Sequence, residues 1–69
     1  MPLTMAKEGE ENLIKKISGK AEAKQFLENL GFVVGGAVTV ITQISGNVIV
    51  RVKDSRVAVS REMANKIMV

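Results

Sequence analysis

Three of the chain's six glycines fall between positions 31 and 36, between the end of a helical pattern and the start of a long strand. Gly31 stands one place past Leu30, the last apolar residue of a helical pattern. That is where helices commonly turn left-handed, and a residue without Cβ escapes the steric cost of doing so. Counted from this ending, Leu27 lies in the last turn and Phe32 just beyond it. A Schellman ending therefore brings Phe32 back onto Leu27 and Phe26. Val34-Gly35 follows as the centre of a type II turn, with Gly35 supplying the positive φ. Beyond it Val38 and Val40 alternate with Thr39, as a half-buried strand requires.

The rest of the chain is organised around this corner. With 69 residues it is expected to be one domain, near the lower end of what folds unaided. Residues 2–6 read as an edge strand or extended arm, because Pro2 lacks a donor and Leu3 and Met5 alternate with Thr4. Residues 7–11 form a charged turn centred on Gly9. Residues 12–18, with Leu13, Ile14 and Ile17, read as a second strand with imperfect alternation. Ser18 or Gly19 is placed to cap a helix over residues 20–30. Its apolar stripe is Ala23, Phe26, Leu27 and Leu30.

Residues 37–43 form the next strand, with Val38, Val40 and Thr42 on one face. A turn over residues 44–47 leads to the clearest strand, residues 48–53. There Val48, Val50 and Val52 face one way, and Ile49, Arg51 and Lys53 the other. A tight turn at Asp54-Ser55 returns the chain as residues 56–59, with Val57 and Val59 inward. Ser60 caps a single turn beginning at Arg61, where Glu62 suits the helix dipole. Ile67, Met68 and Val69 close the chain as a short strand. The fold class is mainly β with a short inserted helix. Short strands in meander order suggest a small SH3-like β-barrel, whose closure removes exposed sheet edges.

The chemistry available is narrow. The chain has no Cys and no His, so the commonest general base, thiolate ligand and imidazole ligand are all missing. Nothing pairs a nucleophile with a base, which argues against an enzyme. Glu8, Glu10 and Glu11 are a candidate hard-cation cluster, but their spacing is not that of a calcium loop, and a solvated turn is the simpler reading. A net charge of +3 is too mild to imply nucleic acid by itself. No apolar run approaches the ~20 residues of a membrane span, and no signal-peptide core opens the chain. A soluble, cytosolic protein is the expectation.

The ordered set of features resembles one family. Phe26-Leu27, Leu30-Gly31-Phe32, Gly35, the β-hairpin, Val57-Ala58-Val59-Ser60, Met63-Ala64 and Ile67-Met68-Val69 together resemble ferrous iron transport protein A (FeoA). The resemblance runs from Gly9 to Val69. Val34 occupies the slot where the family usually has proline, Lys24-Gln25 stands where arginines are common, and Phe32 replaces an aliphatic residue. The same SH3-like module also occurs as the C-terminal domain of iron-dependent repressors.

The resemblance implies an accessory protein of ferrous iron uptake that acts by contact on a FeoB-type membrane iron transporter and its GTP-hydrolysing domain. It implies a cytoplasmic location, at the inner face of the membrane through that partner. Transition-metal association is a property of the family; no cofactor, resident metal, nucleic acid or membrane insertion is expected here, and weak self-association stays open. Candidate partner-contact residues are Gln25, Glu28 and Asn29, which should point away from the core. Val33 joins them as an apolar residue in the glycine corner, as do Arg51 and Lys53 on the outer strand face. The alternatives are a nucleic-acid binder using Arg51, Lys53, Arg56 and the lysines at 15, 16 and 20, a regulatory SH3-like domain, and a metal sensor built on the Glu8, Glu10, Glu11 cluster.

Overall fold

Val48, Val50 and Val52 form the spine of the core, and the computed structural model, which describes residues 1–69, buries all three. They lie on β4 (Asn47–Val52), one of the two inner strands of a four-stranded antiparallel sheet. Its other strands are β1 (Glu11–Leu13), β3 (Ala37–Ile44) and β5 (Ser55–Ser60), in the order β1-β3-β4-β5. A second sheet pairs β2 (Lys16–Ile17) with β6 (Ile67–Met68). Two helices complete the fold: α1 (Ala21–Asn29) and the single turn α2 (Arg61–Ala64).

Alternation decides the main sheet. Val38 pairs with Val52 and Val40 with Val50, so valines from adjacent strands meet on the inner face. Thr39, Arg51 and Arg56 fall in register on the outer face. The hairpin between β3 and β4 turns through Ser45 (φ 40°) and Gly46 (φ 84°), both left-handed, as a two-residue type I′ loop demands. Ser60 caps α2 as expected, its Oγ accepting from the Met63 N–H at 3.2 Å.

Several expectations are corrected. The two sheets do not close into a hydrogen-bonded barrel. Residues 12–18 are not one strand: β1 ends at Leu13, and Ile14 gives its N–H to Gly36 and its carbonyl to Gly35. The chain then leaves for the other sheet. The N-terminal arm is a 3-10 turn, Leu3–Met5, that buries Leu3, and only Pro2 bridges to Met68. Ile41 is an unpaired bulge between Val40 and Thr42. The extra residue reverses the phase of β3, so Gln43, not Thr42, stands opposite inward-facing Val48. The second hairpin turns at Lys53-Asp54, one residue earlier than expected, with Val52 paired to Ser55.

Helix α1 starts after Lys20, which occupies the N-cap position with no side-chain cap bond, so neither Ser18 nor Gly19 caps it. Leu27 is its one fully buried residue, with Ala23 and Leu30 half-buried. Phe26, expected in the stripe, is 51% exposed. The reason is Phe32, which is fully buried and takes the space beside Leu27.

Candidate functional site

The corner after α1 is built by backbone bonds that the glycines permit. Gly31 N–H donates to the Glu28 carbonyl at 2.9 Å, and Phe32 N–H to the Leu27 carbonyl at 3.0 Å. This is the Schellman pair, with Gly31 at φ 106°. Gly36 N–H then donates to the Val33 carbonyl at 2.9 Å, closing a turn whose third residue, Gly35, has φ 87°. A Cβ on Gly36 would lie 3.0 Å from the Val33 carbonyl oxygen and 3.2 Å from a Val33 methyl, a tight fit that favours glycine there. Gly35 N–H to the Ile14 carbonyl, at 2.8 Å, ties the corner to the end of β1.

The sheet meets the corner at Gly31. A Cβ on Gly31 would sit 3.7 Å from a Val52 methyl and 3.8 Å from Lys53 Cδ, so the Lys53 stem runs alongside the helix ending. Lys53 adopts φ 54° at the hairpin turn, not on a strand face. Between these elements lies an open cleft of about 150 Å³. Gly31, Gly36, Glu11, Thr39, Arg51 and Lys53 line it. Cross-strand register explains the polar lining: Glu11 stands opposite Thr39, and Thr39 opposite Arg51.

The expected contact residues thus fall into two groups. Arg51 and Lys53 share the cleft, both exposed. Gln25, Glu28 and Asn29 are exposed on α1 and do not line it. Gln25 Nε2 donates to Asn29 Oδ1 at 3.1 Å, an i, i+4 pair on the free helix surface. Val33, 38% exposed, joins the groups, since its side chain packs close to Gly36 on the cleft wall.

Further apolar residues at this corner were not expected. Phe26 is half-exposed on the last full turn of α1. Val34 is 65% exposed at the turn, and Leu13 is 62% exposed opposite Ala37. Strand alternation carries the signal for Leu13: it precedes buried Ile14 and shares the outer side with exposed Glu11. Glu8, Glu10 and Glu11 are all exposed. No group of three or more Asp, Glu, His or Cys side chains comes together to hold a metal ion.

Comparison with known proteins decides the family. The FeoA domain model matches residues 1–69. The chain belongs to the FeoA family. A Methanocaldococcus jannaschii protein provisionally named Fe(2+) transport protein A is 44% identical over 68 residues, covering 99% of this chain and 83% of that one. A FeoA crystal structure described as an iron uptake regulatory protein superposes with a TM-score of 0.87 at 26% identity, over 96% of this chain and 88% of that one. The zinc complex of Stenotrophomonas maltophilia FeoA, described as an SH3 domain protein, gives a TM-score of 0.84 at 19% identity, over 99% and 87% of the two chains. The FeoA fold here is therefore SH3-like, with its two sheets separately hydrogen-bonded.

Proposed function

We propose that this FeoA-family chain is an accessory protein of ferrous iron transport that works by contact. Its partner is a FeoB-type membrane transporter, engaged at the GTP-hydrolysing domain on the cytoplasmic side. The observation that carries the reading is the meeting of two unlike surfaces at Gly31. One is an exposed apolar rim of Phe26, Val33 and Val34; the other is an open cleft with Arg51 and Lys53. An apolar patch rimmed by polar groups is a characteristic protein-contact surface.

The family membership supports the transport assignment, and the residue chemistry supports contact over catalysis or carriage. Without imidazole or thiolate, the side chains available for iron are carboxylates, which suit hard cations better. The buried residues form one core cluster, which supports a single working unit over residues 1–69, and no helix is long and apolar enough to cross a membrane. A pull-down with the tagged chain, from cytosol combined with solubilised membranes, tests the proposal. Recovery of the transporter, weakened by substitution at the corner, supports it. Recovery of nucleic acid in its place overturns it.

A further inference from the structure

The chain's positive charge is gathered at one end. Lys15, Lys16, Lys20, Lys24 and Lys66 are five of the ten basic side chains, and Glu22 is the one carboxylate in the 15–24 segment. With Glu22 this group carries +4, and the remaining five basic and six acidic side chains carry −1, so the chain's net positive charge resides here.

The fold assembles the group from distant parts of the sequence. Lys16 pairs with Met68 across the small sheet, and Ser18 N–H donates to the Lys66 carbonyl at 2.6 Å. A Cβ on Gly19 would lie 3.2 Å from Lys66 Cδ and 3.6 Å from its Nζ, so the Lys66 side chain lies across the entry to α1. Lys20 is the N-cap of that helix, and Lys24 follows one turn later. Buried Ile14 and Ile17 bracket Lys15 and Lys16 and anchor the backbone, and both lysines are exposed. Lys20 and Lys66 also lie at the positive end of the α1 dipole, where Glu22 is the one acidic residue of the first turn. Such an arrangement is relieved by an external anion.

The composition of the group indicates which anion. All five groups are ammoniums, hydrated point charges without the planar fork that reads a single phosphate in two-pronged fashion. That suits a diffuse anionic surface. Single-stranded nucleic acid calls for aromatic stacking faces; Phe32 is buried and Phe26 belongs to the corner at the other end of α1. We propose that the lysine end is a docking surface for the anionic headgroups of a lipid bilayer, held electrostatically and without insertion. It lies at the start of α1, so a chain seated on lipid leaves the 31–36 corner at the helix end free. The inference concerns lipid alone and does not depend on the identity of the protein partner.

Co-sedimentation of the full chain with vesicles tests it. Vesicles of phosphatidylcholine with roughly a third phosphatidylglycerol should bind the chain, pure phosphatidylcholine should not, and added salt should release it. Each lysine near an anionic surface is worth about fivefold in partitioning, so Lys16→Gln with Lys20→Gln should weaken binding roughly twenty-five-fold. Lys15→Gln with Lys24→Gln repeats the test away from β2 and the helix cap. Arg51→Gln with Arg56→Gln removes the same charge from β4 and β5, outside the lysine group, and should change binding less than about twofold. Equal binding to both vesicle types, an equal loss in the arginine variant, or tighter binding to a DNA or RNA oligonucleotide than to anionic vesicles would each overturn the proposal.

Discussion

Phe32 donates its backbone N–H to the carbonyl of Leu27 at 3.0 Å, and both side chains are fully buried. One hydrogen bond thus sets the direction in which the chain leaves α1 and places one of the two aromatic rings inside. Leu27→Ala should cost about 2–5 kcal/mol, as a large-to-small core change. Phe26→Ala should cost far less, about 0.5 kcal/mol or under, because Phe26 is half-exposed. Thermal or urea melts of the two variants check this contrast. Comparable losses would mean that Phe26 shares the core.

What was legible in the sequence is what local chemistry dictates. Gly31 ends the helix, Gly35 makes the turn, Ser60 caps α2 and alternating valines mark β4, because each is decided within a few residues. What was not legible depends on distant partners. Ile14 leaves its strand because its backbone bonds go to Gly35 and Gly36. Ile41 bulges because β3 must match β4, and Gln43 then reaches the Thr4 carbonyl at 3.0 Å. Lys53 takes a left-handed φ that favours glycine or asparagine, so the Lys53-Asp54 turn carries a misleading signature. At the candidate site, the exposure of Gln25, Glu28, Asn29 and Arg51 was readable, but the approach of Lys53 to Gly31, which brings the hairpin turn beside the helix ending, was not.

Val34→Pro should be tolerated or stabilising by about 0.4–1 kcal/mol. Val34 is the second residue of the turn closed by Gly36 N–H on the Val33 carbonyl, and proline presets the φ needed there. The bonds of this turn come from Gly35 and Gly36, so no donor is lost from it. A melting temperature well below the parent's would show that the turn is of another type.

Ferrous iron, titrated calorimetrically in anaerobic buffer, should find no site tighter than the ~10⁻⁴–10⁻³ M range of weak carboxylate sites. The three N-terminal glutamates are exposed and do not converge on a common point. Stoichiometric micromolar binding would displace the contact mechanism proposed above.

Arg51 stands opposite Arg56 on the outer face of β4 and β5, a like-charge pair that costs stability. Arg51→Glu with Lys53→Glu should therefore leave the melting temperature unchanged or raise it slightly. The substituted carboxylate at position 51 would face Arg56 as an opposite charge, a cross-strand pair contributing about 0.2–1 kcal/mol. Association with the transporter domain should slow and lose its salt dependence, since exposed rim charges act mainly on the encounter rate. Stopped-flow measurements at two salt concentrations check this. An unchanged rate would remove the cleft from the contact surface.

The corner and the cleft can be separated by substituting the helix side of Gly31 alone. Gln25, Glu28 and Asn29 are exposed, and the fold uses their side chains for nothing beyond the Gln25–Asn29 bond. Val33 contributes its carbonyl to the turn, which any residue supplies, while its side chain is over a third exposed. Gln25→Ala, Glu28→Lys and Val33→Asp should each melt within about 0.5 kcal/mol of the parent, as surface changes do. If the apolar rim is the centre of the contact, Val33→Asp should weaken transporter-domain binding most, because it places a charge where water is excluded on docking. Glu28→Lys and Gln25→Ala, farther from the cleft, should weaken it less. If all three variants bind as the parent does while the Arg51/Lys53 pair does not, docking is on the sheet face alone, and Val33 serves only to pack beside Gly36.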